Sequence, residues 1–379
     1  MTDATDGSGY LLYHSIGQYP GKAQDMARGL AAFAETWGRA DTAQWPMALG
    51  LRDRFLQRWR TILNAPEASL TTTENVTSAV AALLLALPER HLHGRSVLIA
   101  EDCFPSNHFL LAGLADRLGF TLRTVPLRPG ADWVEDEDFL AAWTPEVGLA
   151  LVTWISSLTS HRVDVAAMVA HGRRMGSLIG VDVTQGAGLL PFDVQSPAVD
   201  FAVSTSLKWM CGSPGAGVLY VAPELTAQSA PPLRGWFSQP DPFNWDLARF
   251  SYAGDIRRFD SGTPAIMAAA ASLPALDWHA RQDRAALLAH NRALQSRLQD
   301  GVQALGLPLA SPASLDHRGG SLMLKLPAPE ALQPALARLA QADAHADGRG
   351  RLLRLSPGTM TTAEGVDRAL AALAGLRKG

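Results

Sequence analysis

The chain has 379 residues, 47% hydrophobic and 18% charged, which excludes intrinsic disorder, collagen-like repeats and coiled coils and leaves room for more than one core. Its 33 basic and 36 acidic residues give a net charge of −3, so there is no basic footprint for nucleic acid, and a small-molecule partner is expected. Two cysteines, Cys103 and Cys211, are too few for a disulfide framework or a four-thiolate metal site; read as buried hydrophobes, they fit a reducing cytoplasm.

The N-terminus reads MTDATDGSGY, polar and acidic where a secretory signal needs basic residues and an apolar stretch. No apolar run nears the ~20 residues that span a bilayer, so a cytoplasmic protein with no membrane partner is expected. From about residue 70 to 222 short β-rich runs alternate with helical ones, the pattern of a parallel sheet covered by helices on both faces. The strand candidates are Ser96–Ala100, Thr121–Val125, Gly148–Thr153, Ser177–Asp182, Asp200–Ser204 and Gly217–Val221, mostly continuous apolar runs as befits strands buried on both faces. Between them His108–Leu118 and Val165–Met175 read as amphipathic helices. Pro231–Phe243, rich in proline and aromatics, reads as a long functional loop. After about residue 255 an Ala/Leu-rich stretch, Ala265–Leu305, precedes a strand at Gly320–Leu326, a helix, a strand at Arg351–Leu355 and a last helix, Thr362–Leu373, the texture of a smaller α+β domain.

In an open parallel sheet ligands bind beyond the carboxyl ends of the strands, so the polar residues there carry the functional signal. Asp182 ends SLIGVD, Lys208 lies in STSLKWMCGSPGAG, and TTTENVTSAV sets hydroxyls and Asn75 ahead of an apolar helix. Taken singly, Asp182 reads equally well as a helix cap, Lys208 as a solvated loop lysine and Thr77 as an N-cap. Together they say more. Asp182 and Lys208 are 208 − 182 = 26 positions apart with one strand between them, at the same edge of neighbouring strands. Pyridoxal phosphate needs a lysine for its Schiff base, a carboxylate to keep its pyridine nitrogen protonated, and a phosphate cradle. The helix start near Val76–Thr77 offers free N–H groups and a positive dipole end for the last of these.

Seven segments in chain order extend this signal: YLLYHSIGQYP, TENVTSAV, CFPSNHF, DVTQGAG, STSLKWMCGSPGAGVLYV, RGWFSQPDPF and RLSPG. Over nearly its whole length the chain resembles the fold type I pyridoxal-phosphate enzymes of the class V aminotransferase group, and within that group it is most similar to the kynureninases. FPSNHF and RGWF are the kynureninase-like pieces, while RFDSGTPAI has the wider class V pattern. The resemblance implies an N-terminal segment (1–45) packed with the small domain. It also implies a large α/β domain (46–255), mainly a parallel sheet flanked by helices, and a small α+β domain (256–379).

Carried over by residue, it implies that Lys208 forms the Schiff base and moves the α-proton, that Asp182 pairs with the pyridinium nitrogen, and that Phe104 stacks on the ring. Val76, Thr77, Thr205 or Ser206 would hold the phosphate, with Thr263 reaching it from the second subunit of a homodimer. Ser106, Asn107, Thr153 and Gln185 would line the cofactor. Arg354 would clamp the substrate α-carboxylate, a task suited to the guanidinium fork, and Trp236 and Phe237 would meet the substrate side chain.

Two departures stand out: Leu207 replaces the kynureninase Tyr before the lysine, and Gln185 replaces its His, giving the Asp-x-x-Gln spacing of cysteine desulfurases. Neither residue can exchange a proton near neutral pH. The readings are therefore kynureninase-like hydrolysis of an aryl-ketone amino acid, a class V aminotransferase or carbon–sulfur lyase, and a scaffold that has lost catalysis. A persulfide-forming desulfurase is disfavoured because no cysteine falls in the small domain.

Overall fold

In the computed structural model, which describes residues 6–375, seven strands form one sheet: β1 (Leu70–Thr73), β2 (Ser96–Ala100), β3 (Thr121–Val125), β4 (Val147–Thr153), β5 (Leu178–Asp182), β6 (Phe201–Thr205) and β7 (Gly217–Val221). The outermost residues of the two terminal segments read from the sequence, 1–5 and 376–379, lie outside the described residues. The order is β1-β7-β6-β5-β4-β2-β3; β7 runs antiparallel to its neighbours, and the pairs from β6 to β3 are parallel. β5 and β7 are buried throughout, as their unbroken apolar runs require.

Parallel pairing needs crossovers, and the helices Pro105–Leu118 and Val165–Met175 supply two of them. The first starts earlier than its periodicity predicts because Pro105 occupies the first turn, where its missing N–H has no helical partner to lose. The second is capped by Asp164, whose side chain accepts from Ala167 N. Consequently β4, β5 and β6 end side by side, with Thr153 opposite Asp182 and Asp182 opposite Val203.

A second, antiparallel sheet has the order β8-β10-β9, with β8 at Leu322–Lys325, β9 at Asp347–Arg349 and β10 at Leu352–Leu355. Its core includes Leu324, Leu339, Leu353 and Val366, joined by Leu11 from the N-terminal segment. That segment bridges to His345 through Tyr10 and to Ser356 through Leu12. The Ala/Leu-rich stretch is two helices, Ile266–Ala280 and Arg284–Ala304, broken where Asp283 caps the second. The first packs on the helices Lys22–Trp37 and Gln44–Leu63 and sends Ala269 and Leu276 into the core beneath the large sheet. No helix among the described residues is long and apolar enough to cross a membrane.

Candidate active site

Beyond the ends of β4, β5 and β6 lies a cavity of about 200 Å3, with Asp182 and Lys208 on its wall. Also lining it are Val76, Thr77, Phe104, Ser106, Asn107, Thr153, Gln185 and Thr205. Asp182 ends β5 and is held at both oxygens: Asn107 Nδ2 donates to Oδ2 at 3.0 Å and Thr184 N donates to Oδ1 at 3.0 Å. Asn107 is fully buried on the helix after β2.

Lys208 lies just past β6, in a turn closed by Cys211 N donating to Lys208 O at 2.9 Å. Burial, then the nearby Arg354 and Arg349, pulls its pKa down to about 8. The turn is pinned by the N-terminal segment, where Gly17 N donates to Leu207 O at 2.9 Å. A Cβ on Gly17 would lie 1.9 Å from Lys208 O, so only glycine allows this approach.

The helix Val76–Ala86 points its N-terminus at the cavity. Asn75 caps it by accepting from Ser78 N at 2.9 Å, and Ala79 N donates to Asn75 O. Among the described residues this leaves the Val76 and Thr77 N–H groups without a partner, a ready anion site. Thr153 Oγ1, Thr184 Oγ1, Ser157 Oγ and Asn107 Oδ1 are likewise buried with no partner in the protein. An amine, a fixed carboxylate, a helix-start cradle and unpartnered polar atoms around one cavity fit pyridoxal phosphate, the group that the sequence resemblance implies.

Four of the residues read from the sequence lie elsewhere. Ser206, expected at the phosphate, is not on the cavity wall: its fully buried hydroxyl accepts from Trp59 Nε1 at 3.0 Å. Trp236 and Phe237 stand in a separate aromatic cluster, with Trp236 edge-on to Trp45, Phe237 and Phe243. Thr263 is exposed in a different surface cleft beside Thr73 and Gly215. Arg354 approaches the cavity through Ser157, whose carbonyl accepts from Nη1 at 3.2 Å, but its Nε and Nη2 already donate to Asp347 at 2.8 and 2.6 Å. Missed from the sequence were Ile155, Ser157 and Thr184 in the wall. Thr184, two positions beyond Asp182, and Ser157, four beyond the end of β4, were within reach of the strand-end argument. His14 and Asp347 gave no local signal at all.

The family model "Aminotransferase class-V" matches residues 55–327. Kynureninase from Pseudomonas fluorescens is 28% identical over 341 residues, 86% of this chain and 79% of that protein. Kynureninase from Deinococcus radiodurans is 29% identical over 339 residues, 84% of this chain and 78% of that protein. Among solved structures, a cysteine desulfurase from Thermococcus onnurineus superposes with a TM-score of 0.84 at 19% identity, covering 98% of this chain and 94% of its own. The cystine C–S lyase C-DES, in complex with cysteine persulfide, superposes with a TM-score of 0.85 at 20% identity, covering 97% of each chain.

Proposed function

Because the chain belongs to the class-V aminotransferase family and its cofactor is pyridoxal 5′-phosphate, we propose that it is a kynureninase-like hydrolase, cleaving an aryl-ketone amino acid to an aromatic acid and alanine. The observation that carries this reading is the cavity uniting Lys208, Asp182 and the Val76–Thr77 helix start in a chain whose kynureninase relatives match over most of its length. When bound, the cofactor supplies an electron sink for the substrate α-carbon. Lys208 holds the cofactor and then moves the α-proton; a pKa near 8 leaves a useful share of free amine at neutral pH. Asp182 holds a proton at the pyridine nitrogen, its carboxylate aimed by Asn107 and Thr184. Val76, Thr77 and Thr205 receive the phosphate, and Phe104 covers the ring. Arg354 binds the α-carboxylate. On this reading residues 46–255 are the cofactor half and 256–379 the clamp half, and the protein works in the cytoplasm as a homodimer. Its second copy brings Thr263 to the phosphate and Trp236 and Phe237 to the substrate side chain.

A second reading, a carbon–sulfur lyase or aminotransferase, is favoured by Leu207 and Gln185. Leu207 has no proton to give, and Gln185 Nε2 donates to His14 O at 3.0 Å. Persulfide transfer fits poorly, since Cys103 and Cys211 are both buried and burial pushes each thiol up to about 12. The deciding experiment incubates the holoenzyme separately with L-kynurenine, 3-hydroxykynurenine, cysteine, cystine and amino acids paired with 2-oxo acids, and identifies products by mass spectrometry. Anthranilate plus alanine is the expected result; sulfide or transaminated product with no cleavage of kynurenine would replace hydrolysis by the second reading.

A further inference from the structure

We propose that Asp347, steadied by His14, is the positioning residue of the carboxylate clamp: it grips one edge of Arg354 and thereby presents the other edge to the substrate. The inference rests on the reading of Arg354 as the clamp.

Its basis is the hydrogen-bond inventory of a buried guanidinium. Arg354 and Asp347 face one another directly across the β9–β10 pair, so the contact is built into the strand register. Asp347 accepts from Nε through Oδ1 and from Nη2 through Oδ2, the side-on bidentate arrangement, and Ser157 O accepts from Nη1. A guanidinium has five N–H donors. Three are committed, which leaves one on Nη1 and one on Nη2, the pair available to a second carboxylate. Ser157 also lines the cavity, so Arg354 is tethered at its wall.

Asp347 is itself fixed from the far side. His14 Nε2 lies 2.7 Å from Asp347 Oδ1, and His14 Nδ1 lies 2.5 Å from Ser356 Oγ. Burial holds the imidazole well below its ordinary range, at about 4, so near neutral pH it carries a single ring proton. A carboxylate can only accept, so that proton sits on Nε2, facing Asp347. The same residue receives Gln185 Nε2 at its backbone carbonyl. His14 thus joins the cofactor edge of the large sheet to the clamp of the small one.

Charge supports the same assignment. Arg354 is 4% exposed and lies near Lys208, whose pKa it depresses, so a guanidinium with no counter-ion would be an unpaired buried cation beside a second one. Asp347 keeps it paired before substrate arrives and leaves an edge open for the substrate's own carboxylate.

The test compares two probes that differ only in the carboxylate, L-alanine and L-alaninamide, by calorimetric titration of the holoenzyme. The wild-type protein prefers alanine. In Asp347→Asn that preference falls about tenfold, because a neutral amide cannot accept from both Nε and Nη2. His14→Ala lowers it several-fold, and His14→Gln restores it, since the glutamine amide can donate to Asp347 from near the Nε2 position. A general structural defect would weaken both probes alike. If Asp347→Asn does not fold, the His14 pair carries the test. If Arg354→Leu abolishes the preference while Asp347→Asn and His14→Ala retain it, the positioning role is refuted and the clamp stands. Retention of the preference in Arg354→Leu would refute the clamp itself, and with it this inference.

Discussion

The two rims of the cavity are finished differently. On the large-sheet rim, Thr153, Thr184 and Asn107 carry buried polar atoms with no partner, and the start of the helix Val76–Ala86 leaves N–H groups open. On the small-sheet rim Arg354 is already bound to Asp347, which is bound in turn to His14. Unpaired buried polar groups cost about 1–3 kcal/mol each, so the first rim is built for a permanent guest that satisfies them. The second is satisfied by itself and offers only a residual edge, as suits a substrate that must come and go. On the proposed reading, cofactor chemistry belongs to one rim and substrate selection to the other.

Substitutions should separate the rims. The largest effect falls on the first: Lys208→Ala should reduce turnover by about a thousandfold or more, measured as kcat with the best substrate of the panel. Asp182→Asn should lower kcat by roughly a hundredfold, because an amide cannot stabilise a protonated pyridine nitrogen, while thermal stability changes little. On the second rim, Arg354→Leu should act mainly on KM, raising it about a hundredfold, roughly 3 kcal/mol of charge-assisted contact. A fall in kcat with unchanged KM would erase the distinction.

Smaller effects sharpen the same contrast. Gly17→Ala should push the N-terminal segment off the lysine turn and cost about 1–3 kcal/mol, visible as a lower midpoint of thermal unfolding. In the cofactor-free protein, capture of pyridoxal phosphate follows the neutral amine. Its rate should therefore rise with pH through about 8 and level off above, and fall at lower pH as Lys208 becomes charged. Arg354 and Arg349 both lower that pKa, so Arg349→Ala should move the midpoint up, read from the pH profile of capture. A midpoint that stays in place would remove the small-sheet rim from the electrostatics of the lysine.

How legible each rim was in the sequence follows from the range of its interactions. β2 and β7 have the bounds that their apolar runs predict, because strands buried on both faces must be apolar throughout; β3 matches its expected bounds too, although it is a partly exposed edge strand. Asp182 and Lys208 were readable because one intervening strand fixes their relative place. β1, with the sequence Leu-Thr-Thr-Thr, and β9, with Asp-Gly-Arg, escaped because short edge strands carry little hydrophobic pattern. The helices Lys22–Trp37 and Gln44–Leu63 went unread; they are held mainly by packing against Ile266–Ala280, far along the chain. The same reason hides the clamp support. His14 and Asp347 are 333 positions apart, and nothing near either one announces the other.

The central claim, that the large-sheet rim holds pyridoxal phosphate on Lys208, has a direct test because the chain contains only four lysines: Lys22, Lys208, Lys325 and Lys378. Among the described residues Lys22 donates to Gly17 O and Lys325 pairs with Asp132, whereas Lys208 lies on the cavity wall. Borohydride reduction of the holoenzyme followed by peptide mass mapping should place one pyridoxyl group on the peptide that contains Lys208. An unmodified Lys208, or a pyridoxyl group carried by another of the four, would contradict the account.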